Sequence, residues 1–125
     1  MGISLYYEAR RERSLSRLER AAIDAAIERY PLKSLIVAAA VPAEEYNGEA
    51  FCVYPTDADA ERNVVLEGAT KLPTNSEEVF WTTLQYWCRL LSEIRRELPG
   101  SKWAVHVDDH DISWDPVRRT YDPSA

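Results

Sequence analysis

Alternating apolar and polar side chains predict β-strands near both ends of the chain. In "ISLYYEA" (3–9), apolar side chains fall at every second position, which is the spacing along one face of a half-buried strand. The segment "KWAVHVDDH" (102–110) alternates in the same way. This pattern directs Val105 toward the interior and His106 toward solvent.

Two further strands are predicted between these ends. They are "EAFCVYP" (49–55) and "NVVLEGATKL" (63–72), joined by the polar link "TDADAER" (56–62). Glycine is unusual in a strand interior, because it has no side chain to pack. We therefore expect Gly68 to mark a bulge or the end of the second strand.

The first helix is predicted after a capping signal. Ser16 with Glu19 three residues later resembles a capping box, and apolar side chains then recur at helical spacing up to Tyr30. Pro31 stops this helix. Residues 32–48 start with a short apolar run that fits a helix or a buried strand, and the alanines with the preceding proline favour a short helix.

The second main helix has the clearest pattern in the chain. Asn75 and Glu78 resemble its cap, and Pro99 with Gly100 ends it. Between them apolar side chains recur at intervals of four and three over about six turns, which gives one buried stripe. This stripe consists of Phe80, Leu84, Trp87, Leu91, Ile94 and Leu98.

The order of elements is β-α-(extra)-β-β-α-β, which is the order of the split βαβ, ferredoxin-like arrangement. We therefore predict an α+β fold with a four-stranded antiparallel sheet and two main helices on one face. A length of 125 residues suits a single domain over 1–125. Its core would span about 3–110, and an extended C-terminal tail, 111–125, would pack on the body through Trp114 and Tyr121.

In this arrangement the last strand lies beside the first, and the two present one face to solvent. The open face would carry Tyr6, Glu8, His106 and Asp108 as cross-strand neighbours, which lie ~5 Å apart when directly opposed. Leu5 and Val105 would turn under the helices.

The segment "HVDDHD" (106–111) allows three interpretations. A metal site would use His106, Asp108 and His110, but side chains two apart on a strand are separated by ~6.6 Å along the chain and need a bend to converge. An acid–base site would use His106 beside Glu8. We favour the third interpretation, in which the aspartates form a polar turn at the strand end.

The acidic residues are unevenly distributed along the chain, and an excess of them lies in residues 34–70. The formal net charge is −6, and Arg62 is the single basic residue in 34–70. Such a region repels phosphate backbones and attracts basic partners, so we expect no nucleic-acid partner. The acidic residues of this region are Glu44, Glu45, Glu49, Asp57, Asp59, Glu61 and Glu67.

No sequence signal predicts secretion, a membrane span or a cofactor. The longest apolar run, "SLIVAAAVP" (34–42), is shorter than the ~20 residues of a bilayer span, and the first residues lack the apolar core of a signal peptide. Cys52 and Cys88 lie among apolar neighbours, as buried free thiols do in a reducing compartment. We expect a cytoplasmic protein without a cofactor.

The acidic segment "AEEYNGE" (43–49) carries an aromatic residue among carboxylates, a combination that protein interfaces use as an anchor. We expect a small non-catalytic interaction protein, of the inhibitor or immunity type, that binds a basic protein partner. The alternatives are a small metal-dependent or acid–base enzyme around His106 and a homo-oligomeric domain that covers its open sheet face. The expected partner-binding residues are Glu44, Glu45, Tyr46, Glu49 and Trp114.

Overall fold

A four-stranded antiparallel sheet forms one layer of the protein, in a computed structural model that describes residues 2–54 and 63–125. Strand β1 (Ile3–Arg10) lies between β2 (Val64–Leu72) and β3 (Lys102–Val107), and β3 also pairs with the short β4 (His110–Asp111). The α+β fold with a four-stranded antiparallel sheet is therefore confirmed. The order β2-β1-β3 is the one that the split βαβ arrangement requires.

The fourth strand differs from the prediction. Residues 49–54 follow the outer edge of β2, where the Glu49 amide donates to the Lys71 carbonyl over 2.9 Å and the Tyr54 amide donates to the Glu67 carbonyl over 2.7 Å. Residues 49–54 form no regular strand, and the partly buried ring of Phe51 packs against the core and stacks on Tyr7 with centroids 4.6 Å apart.

The predicted strand 49–55 is consequently wrong as a regular strand over its described part. The fourth strand of the sheet is β4 instead, on the opposite edge. Pro55 and the link 56–62, with Asp57, Asp59 and Glu61, lie outside the described residues.

The described residues form three helices, which lie on one face of the sheet or beside it: α1 (Arg17–Glu28), α2 (Leu32–Ala38) and α3 (Glu77–Glu97). The capping box of α1 is present as predicted, and the apolar run after Pro31 is the short helix α2. The predicted cap of α3 is wrong by one residue. Ser76 caps the helix by accepting a hydrogen bond from the Val79 amide over 3.2 Å.

The core lies between the sheet and α3. The predicted stripe of α3 faces inward, and its largest side chain, Trp87, is completely buried. From the sheet, Leu5, Tyr7 and Val105 enter the same cluster. Among the described residues, none of the helices combines the length and the hydropathy that a bilayer span requires.

The C-terminal tail is a small hairpin and not an extended segment. Strands β5 (Ser113–Asp115) and β6 (Thr120–Asp122) pair with each other and pack on α3. Their position is fixed by the buried Tyr121, whose backbone amide donates to Ser92 Oγ over 2.9 Å. The tail thus packs on the body as expected. It does so as a two-stranded hairpin, in which Trp114 lies opposite Tyr121.

Candidate functional site

The open sheet face carries an aromatic pair at its centre. Tyr6 and His106 are directly opposed in the β1–β3 register, and their rings stack with centroids 5.1 Å apart and planes inclined by 19°. Leu5 and Val105 lie on the other face and are buried. The predicted facing of both strands is therefore observed.

The imidazole of His106 is oriented by the main chain. Its Nδ1 lies 2.8 Å from the carbonyl oxygen of Asp108, so Nδ1 carries the hydrogen and donates. Glu8, the carboxylate considered for acid–base chemistry, forms an ion pair with Arg10 and lies opposite Ala104 in the register. The partner observed for Nδ1 of His106 is thus a backbone carbonyl.

The residues considered as metal ligands do not converge. The chain reverses at Asp108 and Asp109, where Asp108 has a positive φ of 49°, so that His110 pairs with Val107 and Asp111 pairs with His106. Opposed residues of an antiparallel pair share a face, which places His110 on the side opposite His106. In residues 2–54 and 63–125, no group of three or more His, Cys, Asp or Glu side chains could hold a metal ion.

The acidic segment 43–49 is held against the start of α3 by two asparagines. Asn47 donates from Nδ2 to Thr74 Oγ1 over 2.8 Å and accepts from the Thr74 amide over 2.8 Å. Asn75 donates from Nδ2 to the Glu45 carbonyl over 2.6 Å. These bonds fix the acidic segment beside the first turn of α3.

This contact adds two carboxylates that were not predicted as partner-binding residues. Glu77 and Glu78 lie exposed in the first turn of α3, two and three residues after Asn75. Acidic residues in a first helical turn are common, so their position in sequence gave no signal of an interface. We call the group formed by Glu44, Glu45, Glu49, Glu77 and Glu78 the acidic surface.

An exposed aromatic side chain stands next to the acidic surface. Trp81 follows Glu77 by four residues and Glu78 by three, which places all three on one side of α3. Its side chain is 37% exposed and rests edge-on against Phe80, with ring centroids 5.9 Å apart. Trp81 is therefore an exposed aromatic side chain on the same side of α3 as Glu77 and Glu78.

Tyr46 points inward instead. Its ring packs against the core, its hydroxyl lies 3.3 Å from Thr83 Oγ1, and burial raises the pKa of its phenol. Glu49 also has a structural role, because its carboxylate accepts a hydrogen bond from the Lys71 amide over 2.9 Å. Both residues hold the acidic segment in place.

Trp114 belongs to the tail and not to the acidic surface. The Arg95 guanidinium lies over its ring at 4.1 Å from the centroid, and Tyr121 packs edge-on at 4.9 Å. These contacts attach the hairpin to α3. The expected role of Trp114 in partner binding stays a prediction.

Basic residues gather at the other end of the sheet. Arg10, Arg13 and Lys102 line a concavity of about 650 Å³, which also includes Glu12 and Gly100. Arg10, at this end of β1, pairs with Lys102 of β3. Ile3, at the other end of β1, pairs with Leu72 of β2, which shortly precedes the start of α3. Basic residues therefore lie near the Lys102 end of β1, and Glu49 of the acidic surface lies near its Ile3 end, where it bonds the Lys71 amide.

The two thiols lie in different environments. Cys88 is buried in α3, and burial raises the pKa of its thiol to about 12. Cys52 is exposed on the edge segment, so the expectation that both are buried is wrong for this residue. Its side chain points away from the core because its neighbours Phe51 and Val53 take the inward positions.

Comparison of the chain with protein-family models gives no match. Comparisons with curated proteins and with solved structures likewise give none.

Proposed function

We propose that this protein is a small non-catalytic interaction protein that binds a basic protein partner through the acidic surface and Trp81. The observation that carries the proposal is the attachment of the acidic segment to the start of α3 by Asn47 and Asn75. It brings the segment of Glu44 and Glu45 next to the start of α3, where Glu77 and Glu78 lie exposed and Trp81 follows on the same side of the helix. Such a combination of charge and aromatic area is typical of protein interfaces.

The chemistry of this surface sets the kind of partner. Several carboxylates in one region attract Lys- and Arg-rich surfaces and accelerate their approach. An inhibitor or immunity protein that covers the basic site of an enzyme or toxin acts in this way. We expect it to act in the cytoplasm, where its free thiols would stay reduced.

Chemical crosslinking in native lysate, followed by mass spectrometry, would first identify a bound protein, which is then purified. The association rate is measured at several salt concentrations for wild type and for two variants of equal net charge. The acidic-surface variant is Glu44→Gln, Glu45→Gln, Glu77→Gln and Glu78→Gln. The control variant changes four exposed acids elsewhere: Glu12→Gln, Asp24→Asn, Glu28→Gln and Glu97→Gln.

We expect the association rate of the acidic-surface variant to fall about tenfold or more at low salt, and that of the control to stay near wild type. Trp81→Ala should raise the dissociation rate, because it removes an apolar anchor. Equal association rates for the two variants, or a rate that is indifferent to salt, would refute the proposal.

A further inference from the structure

The open sheet face contains a pocket apart from the acidic surface. Its volume is about 250 Å³, and its walls include three aromatic rings, those of Tyr6, Tyr54 and His106. Tyr6 and Tyr54 are 41% and 43% exposed, although large aromatic side chains are usually more buried than this. The pocket therefore presents aromatic surface to solvent.

Small residues make room between these rings. Ala69 of β2 is the partner of Tyr6, and Ala104 of β3 is the partner of Glu8, so the positions beside the rings carry only methyl groups. His106 cannot swing freely into this space, since Asp108 fixes its Nδ1 and Tyr6 stacks on its face. The pocket is thus formed in advance of any ligand.

Among residues 2–54 and 63–125, the charged groups that line the pocket are the carboxylates of Glu8 and Glu67. Glu8 and Glu67 are directly opposed in the β1–β2 register. Glu8 accepts a hydrogen bond from Arg10 Nε, so its carboxylate already takes part in one pairing with a guanidinium. Aromatic faces combined with carboxylates attract organic cations and repel anions.

We propose that this pocket binds the guanidinium of an arginine side chain. A guanidinium is planar and weakly hydrated, so it stacks on aromatic rings while its N–H groups reach carboxylate oxygens. A lysine ammonium is a compact, strongly hydrated charge and gains less from the flat walls. The inference rests on the proposed function in one respect, namely that the arginine belongs to the basic partner.

The test uses a capped amino acid, which needs no partner protein. N-acetyl-arginine amide is titrated into the protein and followed by the imidazole NMR signals, with N-acetyl-citrulline amide as the neutral isostere. The two histidines of the chain provide an internal control, because His106 lines the pocket and His110 lies on the other face. We expect the arginine probe to shift the His106 signal, and the citrulline probe and the His110 signal to show little change.

Variants of Tyr6 separate stacking from folding. Tyr6→Phe keeps the ring and should bind the arginine probe like wild type, whereas Tyr6→Leu should bind it about two- to fivefold more weakly. Equal shifts from the citrulline probe, equal shifts at both histidines, or no shift in the folded Tyr6→Phe protein would overturn the inference. A clear preference for free L-arginine over the capped form would overturn the assignment to a protein side chain.

The two proposals can fail separately. Tyr6 lies outside the acidic surface, and the probe contains no partner protein. A partner that depends on the acidic surface, combined with an absent arginine shift, overturns the pocket alone. A specific arginine shift, combined with association rates that are equal for the two charge variants, overturns the proposed function alone.

Discussion

The ring of Tyr7 lies across the backbone of Gly68, its partner in the β1–β2 register. Beyond the glycine, the Tyr7 hydroxyl donates to the Cys52 carbonyl, accepts from the Cys52 amide over 3.3 Å and lies 2.7 Å from Thr70 Oγ1. One buried phenol thereby connects β1, β2 and the edge segment 49–54. Its burial raises the pKa of Tyr7 above the ordinary value.

Gly68→Ala should destabilise the protein strongly. A Cβ at this position would lie 2.1 Å from the Cys52 carbonyl oxygen and 2.5 Å from Tyr7 Cε2, and the first of these atoms is backbone. We expect a loss of about 3 kcal/mol or more in the free energy of unfolding, measured by urea denaturation. Gly2→Ala is the matched control, because its Cβ would meet only the flexible side chain of Lys71; similar losses for both would contradict this explanation.

Glu19→Gln should lower the free energy of unfolding at neutral pH, and it should lower this free energy less in acid. Glu19 forms an ion pair with Arg11, whose side chain is only 5% exposed, and the hydrogen bonds from Arg11 lower the pKa of Glu19 to about 2. A carboxyl with a lowered pKa stabilises the fold above its ordinary pKa, and this contribution disappears as pH falls from about 4.5 toward about 2.

The expected loss for Glu19→Gln is about 1–3 kcal/mol at pH 7, and it should shrink between pH 5 and pH 2. Urea denaturation at each pH measures it. Glu28→Gln changes an exposed carboxylate on the same helix and should differ little from wild type throughout. A difference between Glu19→Gln and wild type that is constant with pH would show that the ion pair does not supply this stability.

One of the two thiols should react quickly with a disulfide reagent in the folded protein. Cys52 is exposed, whereas Cys88 is buried and has a thiol pKa raised to about 12, so its thiolate is scarce at pH 8. We expect one equivalent of fast reaction with 5,5′-dithiobis(2-nitrobenzoate) and a second only after unfolding. Cys52→Ser should abolish the fast equivalent, and its persistence in that variant would be incompatible with a buried Cys88.

Trp114→Ala should detach the tail hairpin and leave partner association unchanged. The variant removes the contact of the indole with Arg95 at 4.1 Å and with Tyr121 at 4.9 Å. We expect a loss of about 1–3 kcal/mol in the free energy of unfolding, with protease cleavage appearing first near β5. A large drop in partner association without a loss of stability would restore Trp114 to the interface.

The periodic segments could be predicted from sequence because their information is local. The alternation in β1 and β3 fixes which side chains face the helices, and it correctly paired Tyr6 with His106 on the open face. The stripe of α3 and the capping box at Ser16 depend on neighbours three and four residues away, so they too could be located directly.

Side-chain contacts between distant segments decided the rest. The role of Gly68 depends on the position of the Tyr7 ring. Residues 49–54 form no regular strand, and their Phe51 packs against the core. His110 lies on the face opposite to His106 because the chain reverses after Val107. The sequence "HVDDHD" alone fits both this reversal and a continued strand that would place the two histidines on one face. Asn47 and Asn75, 28 residues apart, bring Glu77 and Glu78 beside the acidic segment.

The sequence by itself thus determined the α+β architecture, the facing of the end strands and a regional negative charge, since each follows from local period or composition. Only the tertiary structure decided the exposure of the aromatic side chains outside the end strands. Tyr46 and Trp114 pack against the core, and Tyr54 and Trp81 stay in contact with solvent. Burial of an aromatic ring depends on the partners that the fold places around it, and those partners are distant in sequence.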